Sequence, residues 1–371
     1  MKSYQIIFPD TKELEDVDFY INTDHVPAVE NIVEDSEKTL EEKRDVLVGK
    51  NTLLDLNKKF NINYENNIII DTTGNQFSST FSSLFFSFFV IEECNSYFYR
   101  IEVVNASNIF ENKRNAFNIA MNKIRPDRLL TSCWLNNNKQ HYDFLYTQSW
   151  NQADVTHQLY ELLQIGEITD YKNSANITIE TMPKKWIGPE YAGDNATNFQ
   201  QNVSDIFYRS VFSIVLEPVF WENDCNITEK YLNALYGLTI PIVSGYNSCN
   251  CLKNMGFDIF DDIVDTSYQH IENAVTRTWQ MMELNKTVFS NAKNIIKDKG
   301  IQQRIIKNLE WARQPQKLFE TSFLNLNSTK EKQFFIDNYH DIKEILLVEQ
   351  PESMAIIDLD KMYSLLQAEL K

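Results

Sequence analysis

Glycine is scarce in this sequence. Nine of its 371 residues are Gly, whereas average usage would give roughly 26. The phosphate-binding loops of P-loop ATPases and dinucleotide-binding dehydrogenases need clustered glycines, because these let the backbone approach a phosphate closely. No such cluster occurs here, which argues against both classes in their usual form. A nucleotide bound by this chain would need its phosphates held in another way.

Cysteine and long apolar runs are also sparse. The five cysteines are odd in number and lack C-x-x-C spacing, which argues against a disulfide framework or a Cys-rich zinc site. Residues 77–91 are the most membrane-like stretch, but they are shorter and more polar than the roughly 20 apolar residues of a span. The acidic residues near the start leave no room for the apolar core of a signal peptide. We therefore expect a cytoplasmic protein without a membrane span.

Positive charge is in deficit. The chain carries 35 Lys and Arg against 52 Asp and Glu, a formal net charge of −17. This charge opposes the phosphate contacts that dominate affinity for nucleic acid, and the pair Lys184-Lys185 is isolated. We expect no general nucleic-acid binding.

No metal site is predicted either. The five histidines are scattered without ligand spacing. Asp258, Asp261 and Asp262 form an acidic loop that we interpret as solvated. Asp358 and Asp360 resemble a D-x-D metal motif, but only 11 residues follow, so we interpret them as the start of the last helix.

The N-terminal third alternates between strand-like and helix-like segments. Short apolar or β-branched runs bounded by polar residues are typical of buried strands; they occur at Tyr4–Phe8, Asp45–Val48, Asn67–Asp71 and Tyr97–Val104. Helix-length stretches lie between or after them, at Phe77–Glu93 and Asn112–Lys123. Such alternation predicts βαβ units on a parallel sheet, so residues 1–125 are predicted to form a first α/β domain.

The remainder predicts a second α/β domain at 126–315 and a helical extension at 316–371. Pro126 is expected to end one helix, and Leu129–Leu135 begins an apolar run that leads into a helical stretch through Leu163. Further on, the pattern predicts strands and helices in alternation at Phe212–Leu216, Glu229–Tyr236, Thr239–Val243, Cys249–Met255 and Tyr268–Leu284. The helices after residue 286 are expected to pack back on the first domain.

The first turn of the helix predicted at Glu229–Tyr236 carries unusual charge. Thr228 is a good N-cap, and Gly237 is expected to end the helix in a left-handed conformation. Lys230 in the first turn opposes the helix dipole, which favours acidic residues there. A bound anion would explain this lysine, because free backbone N–H groups, the dipole and an ammonium would converge on a diphosphate. A solvated first turn is the plainer alternative.

The same segment resembles a known motif. The segment contains, in this order, Ile227-Thr228-Glu229-Lys230, Asn233-Ala234-Leu235, Gly237 and Ile240–Val243 before Gly245. This order resembles the nucleotide-sugar motif of the α1,3-fucosyltransferase family. Related viral and bacterial glycosyltransferase-like proteins continue with Gly-Phe, Phe and an acidic turn, here residues 256–268. The resemblance covers about 70 residues, roughly a fifth of the chain.

This resemblance implies a GT-B-like fold, in which two Rossmann-like domains face a cleft and the C-terminal domain holds the donor. It implies a metal-independent, inverting glycosyltransferase without a cofactor. The implied substrates are a nucleotide-diphosphate sugar, with a GDP-sugar as the nearest pattern, and a glycan or other hydroxyl acceptor. The donor-binding residues it implies are Glu217, Thr228, Glu229, Lys230 and Gly245.

Two features depart from the family pattern. Leu216-Glu217-Pro218 stands where the family has Phe-Glu-Asn. The family also has a phosphate-binding Arg in the helix after the first strand of the second domain; the stretch from Leu129 offers Lys139 and His141 instead. Lys139 is taken as the substitute, because an ammonium serves as a point charge.

Inverting transfer also needs a general base for the acceptor hydroxyl. Asp71 ends a predicted strand of the first domain, where ligands approach an open α/β sheet. Glu92 and Glu93 are equal candidates, and the sequence does not choose among the three.

Two other functions stay open. The departures at Glu217-Pro218 and at the phosphate Arg fit a catalytically inactive binding or assembly protein that keeps the fold. Sugar transfer to modified nucleic acid is disfavoured by the net charge of −17.

Overall fold

The computed structural model describes residues 4–7, 17, 19–22, 69–71, 75–76, 83–87, 91, 106–121, 126–148, 205–217, 225–272 and 274–370. The strands are β1 Tyr4–Ile7, β2 Phe19–Asn22, β3 Ile69–Asp71, β4 Asn75–Gln76, β5 Ser83–Phe85, β6 Asn115–Met121, β7 Phe144–Gln148, β8 Ser210–Val215, β9 Cys225–Asn226 and β10 Ile240–Val243. They form two four-stranded sheets and one two-stranded pair.

Most of the helices within the described ranges lie after residue 200. They are α1 Ala106–Asn112, α2 Pro126–Asn138, α3 Asp205–Tyr208, α4 Glu229–Tyr236, α5 Ser248–Asn254, α6 Ala274–Leu284, α7 Lys286–Ser290, α8 Ala292–Ile295, α9 Lys299–Ala312, α10 Pro315–Leu326, α11 Thr329–Asp337, α12 Tyr339–Glu349, α13 Pro351–Met354 and α14 Leu359–Glu369, with a 3-10 turn at Ser267–His270. The helical C-terminal region predicted from residue 286 is confirmed.

The first sheet has the order β1-β2-β3-β5, and its strands are parallel. The predicted strands near residues 4 and 69 are confirmed. The predicted helix Phe77–Glu93 is wrong in part, because it contains strand β5. The predicted strands Asp45–Val48 and Tyr97–Val104 lie outside the described residues.

The second sheet has the order β10-β8-β6-β7, and all its strands are parallel. After β6 the chain adds β7 on one side and then β8 and β10 on the other. The order therefore reverses between β6 and β8. In open α/β sheets, ligands bind outside the carboxyl ends of the strands at such a switch point.

Strand β6 corrects the sequence-based assignment. Residues Asn112–Lys123 were predicted to be a helix of the first domain, but Asn115–Met121 is a strand of the second sheet, whereas the predicted second domain begins at residue 126. The helix prediction failed because the apolar positions 116, 117, 119, 120 and 121 also suit one face of a helix, and burial on both sides removes the alternation that marks a strand. The division of the chain into domains stays a prediction.

Helices cover both faces of the second sheet. On one face, Phe117, Trp134 and Phe289 pack in an aromatic cluster with tilted or edge-on rings, and the Phe117 and Phe289 centroids are 4.6 Å apart. On the other, Tyr231 and Leu235 of α4 belong to a second core that continues into the C-terminal helices. Because the strands are buried on both faces, β8 and β10 are buried along their whole length.

The C-terminal helices also contact the first sheet, as expected. Phe86, just after β5, lies 5.4 Å from Phe323 and 6.2 Å from Phe335 between ring centroids. Next to it, the Ser87 and Ser322 hydroxyls are 2.6 Å apart. These contacts join helices α10 and α11 to the end of β5.

Gly237 ends helix α4 differently from the prediction. Its φ is −75°, and the left-handed residue is Leu238, with φ 52°. Glycine is needed at 237 for space, because a Cβ there would lie 2.3 Å from the Cβ of Phe207. Gly256, expected to end a helix, does have a left-handed φ of 91° after α5.

Candidate functional site

Helix α4, which has the predicted bounds, begins at the carboxyl edge of the second sheet. Thr228 is its N-cap, with an extended backbone and a hydroxyl that accepts from the Lys230 N–H at 3.4 Å. Lys230 lies in the first turn and is half-buried. Glu229 is the first residue of the helix, and its side chain lies outside the described residues.

Lys230 lies beside the switch point of the sheet. Together with Ala120 near the end of β6, Leu216 after β8 and Asn233, it lines a small recess. Its Nζ donates to the Thr228 hydroxyl at 3.5 Å. The ammonium is thus held at the carboxyl ends of the two strands between which the order reverses.

Glu217 ties the strand end to the helix start. Its side chain is fully buried, and its carboxylate accepts hydrogen bonds from the Thr228 N–H at 3.3 Å and from the Thr228 hydroxyl. Through these two hydrogen bonds, the Glu217 carboxylate orients the N-cap residue Thr228. The expectation that Glu217 contacts a donor stays a prediction; in the structure its carboxylate binds Thr228.

The exit of β10 is joined to the same cluster. The Ser244 N–H donates to the Val215 carbonyl at 2.9 Å, and its hydroxyl accepts from the Glu217 N–H at 3.3 Å. Gly245 follows and is buried. Gly245 is thus placed at the carboxyl edge, one strand away from the switch point.

Arg128 was missed by the sequence analysis. Pro126 was expected to end a helix, but it occupies the first position of α2, the helix that follows the first strand of the second sheet. Arg128 lies in the first turn of that helix and is buried. Pro at the first helical position followed by an acidic residue is a known start signal. This start signal would have placed Arg128 at the carboxyl edge of the second sheet.

Lys139 lies at the other edge of the sheet. It directly follows the last residue of α2, which runs back from the carboxyl ends of the strands, and β7 begins at Phe144 soon after. At about 3.3 Å per residue, strands of five to seven residues separate the two edges by roughly 20 Å. The structure therefore does not bring Lys139 together with Lys230.

Of the candidate bases, only the backbone position of Asp71 is described. It is the last residue of β3, opposite Asn22 and Phe85. Strand β4 begins four residues later and pairs antiparallel with β9, so that Asn75 faces Asn226. The chain after Asp71 is thus fixed beside the segment that enters α4. Glu92 and Glu93 lie outside the described residues.

The acidic motifs have structural partners. Asp258 and Asp262 both bind the guanidinium of Arg304, with oxygen–nitrogen distances of 2.6 to 2.9 Å. Asp358 is the N-cap of α14, as predicted, and accepts from the Lys361 N–H at 3.0 Å. Within the part of the chain that the structure describes, no group of three or more His, Cys, Asp or Glu side chains could hold a metal ion. None of the helices described has the length and apolarity to cross a membrane.

Comparison of the chain with protein-family models, with curated proteins and with solved structures finds no match in any of the three.

Proposed function

We propose that the chain is a glycosyltransferase that takes a sugar from a nucleotide-diphosphate donor and transfers it to a hydroxyl acceptor. The observation that carries this proposal is the position of Lys230. It lies in the first turn of α4, at the carboxyl edge of a parallel sheet and beside the point where the strand order reverses.

The chemistry of this edge suits a diphosphate. A helix start offers backbone N–H groups and the positive end of the helix dipole to an anion. Lys230 adds an ammonium, and Arg128 in the first turn of α2 adds a guanidinium on the β6 side. A cation here would stabilise the charge that develops on the departing nucleoside diphosphate.

Arg128 also supplies a counterpart for a feature that the sequence lacked. The fucosyltransferase pattern has an Arg in the helix after the first strand of the second domain. Because that strand is β6, the corresponding helix is α2, and Arg128 occupies it. This counterpart supports the enzyme over the catalytically inactive alternative.

We further propose a GT-B-like arrangement, in which the first sheet carries the acceptor side and Asp71 acts as the general base. Pairing of β4 with β9 supports this. Asp71 is four residues from Asn75, so their Cα atoms are at most ~14 Å apart. Inverting transfer by this route uses a carboxylate and the cations of the donor site, and no metal is proposed.

Nucleotide binding tests the proposal directly. Thermal-shift measurements with GDP, UDP, CMP and ADP should give stabilisation by at least one nucleotide, with GDP expected first, because a ligand that binds only the folded state raises its stability. In Lys230→Ala we expect the affinity for that nucleotide to fall about tenfold or more. Lys139→Ala, at the opposite edge, should bind as the parent does. Unchanged affinity in Lys230→Ala would refute the assigned site.

Catalysis needs a separate measurement. Incubation with nucleotide-sugar donors should release nucleoside diphosphate, by transfer or by slow hydrolysis. Binding without release from any donor would favour the inactive binding or assembly protein.

A further inference from the structure

Arg277 is a fully buried cation beneath the carboxyl edge of the second sheet. It projects from α6, and its guanidinium donates to three backbone carbonyls: Nε to Ser244 at 2.8 Å, and one terminal nitrogen to Ile271 at 2.7 Å and to Glu272 at 3.1 Å. Burial lowers the pKa of Arg277 to about 10, and the Asp127 carboxyl acts in the opposite direction. The side chain is therefore charged at neutral pH.

From Arg277 a continuous chain of hydrogen bonds leads to Lys230. The carbonyl of Ser244 accepts from Arg277, and the hydroxyl of the same serine accepts from the Glu217 N–H at 3.3 Å. The Glu217 carboxylate binds Thr228 through both its N–H and its hydroxyl. The Thr228 hydroxyl in turn accepts from the backbone and side chain of Lys230. Each member of this chain is buried except Lys230 at its end, which is half-buried.

The helix that carries Arg277 also packs against the helix of the other proposed phosphate ligand. Helices α2 and α6 are in contact, and the first turn of α2 holds the buried Asp127 and Arg128. Arg277 is thus hydrogen-bonded to the strand exit that leads to Lys230, and its helix packs against the helix that carries Arg128.

We infer that Arg277 is a positioning residue of the donor site, which holds Lys230 in place through Ser244 and braces the helix of Arg128 by packing, without touching the ligand. This inference rests on the proposed function. A diphosphate held between two cations binds tightly only when their spacing is set before binding, because ordering them afterwards subtracts from affinity.

The test is a double-mutant cycle in nucleotide binding. Affinities for GDP, UDP and ADP are measured calorimetrically on the full chain for the parent, Arg277→Met, Lys230→Ala and the double variant. Arg277→Met is expected to weaken binding about tenfold, as loss of a buried charge-assisted hydrogen bond does. If Arg277 acts through Lys230, the lysine substitution should cost much less in the Arg277→Met background than in the parent. Additive losses would overturn the inference.

Two further variants separate positioning from simple loss of stability. Arg304→Met also removes a multiply bonded guanidinium, but one that binds Asp258 and Asp262, and it should leave nucleotide affinity unchanged. If Arg277→Met fails to fold, Ser244→Ala serves in its place, because it removes the acceptor for the Glu217 N–H and leaves the carbonyl that Arg277 uses. We expect it to weaken binding about threefold. Parent-like affinity in Ser244→Ala would contradict the relay.

The outcomes distinguish this inference from the function on which it rests. If the parent binds none of the three nucleotides, the proposed function and the positioning role both fail. If the parent binds and Lys230→Ala weakens binding while Arg277→Met and Ser244→Ala do not, only the positioning role fails.

Discussion

Lys113 and Lys230 lie at opposite edges of the second sheet and differ in burial and in their bonding partners. At the amino-terminal edge, the buried Lys113 donates from Nζ to the carbonyls of Phe207, Ser210 and Gly237 at 3.1, 2.7 and 3.1 Å. At the carboxyl edge, Lys230 is half-buried, makes a 3.5 Å contact to a hydroxyl and lines a recess.

The two lysines differ in burial and in surroundings: Lys113 is enclosed by backbone carbonyls, whereas Lys230 lines a recess. Burial lowers the pKa of Lys113 well below its ordinary value, but three carbonyl acceptors match all three N–H bonds of the charged form. All three hydrogen-bond donors of the Lys113 ammonium are thus used within the fold. Lys230 lines a recess at the carboxyl edge, where ligands of parallel sheets bind.

The largest effect is expected from Lys113→Met. Removing the ammonium leaves three buried carbonyls without that donor, so we expect the free energy of unfolding to fall by about 3 kcal/mol. Urea denaturation would measure it. Lys139→Ala, an exposed lysine of the same edge, is the matched control and should unfold like the parent. A loss of unfolding free energy no larger than that of an ordinary surface substitution would contradict the structural role assigned to Lys113.

Gly237→Ala should disturb the same edge less. The new methyl group would meet the Cβ of Phe207 at 2.3 Å, and forced overpacking costs about 1–3 kcal/mol. Since the carbonyl of Gly237 also accepts from Lys113, the variant should shift that contact. Chemical denaturation would show the loss, whereas nucleotide affinity at the opposite edge should be retained.

Arg304 extends the comparison to a cation paired with carboxylates. Burial raises the pKa of Asp258, but hydrogen bonds from Arg304 and from the Phe260 N–H outweigh it; the Arg304 hydrogen bond also lowers the pKa of Asp262. Folded-state pKa values below the unfolded ones add stability above about pH 4, and this is lost as pH falls through the lowered values. Arg304→Met should therefore cost about 1 kcal/mol at pH 7. The difference from the parent should shrink in unfolding measured below pH 4, and a constant difference would contradict the ion-pair account.

The smallest effect on stability is expected from Lys230→Ala. Its ammonium opposes the helix dipole, so the substitution should change the free energy of unfolding by less than about 0.5 kcal/mol, even though nucleotide binding is lost. Thermal unfolding without ligand would measure this. A large destabilisation would make Lys230 a structural lysine like Lys113 and abolish the contrast between the edges.

Sequence patterns predicted the region around α4 well, because several local signals agree there. Thr228 is a capping residue, the helix Glu229–Tyr236 has the predicted bounds, and Ile240–Val243 is an apolar β-branched run. Local rules are sufficient where capping, periodicity and composition point to the same element.

Local sequence rules were insufficient where pairing with distant strands determines the secondary structure. Strand β6 has a pattern that also suits a helix. Its neighbours in the sheet are β7 and β8, and β8 lies about 90 residues further along the chain. The error moved the first strand of the second sheet to the region of Leu129, and Lys139 was chosen in place of Arg128 as a result. Arg277 had no signal at all, since its three carbonyl partners become neighbours only in the folded chain.

The pairing of β4 with β9 has a consequence for the order of folding. It joins segments about 150 residues apart with a ladder of only two residues on each strand, so it recovers little energy for the entropy of closing so large a loop. Such a ladder forms after the elements on either side are in place. The pairing of β4 with β9 is therefore expected to be among the last contacts of the fold to assemble and the first to open.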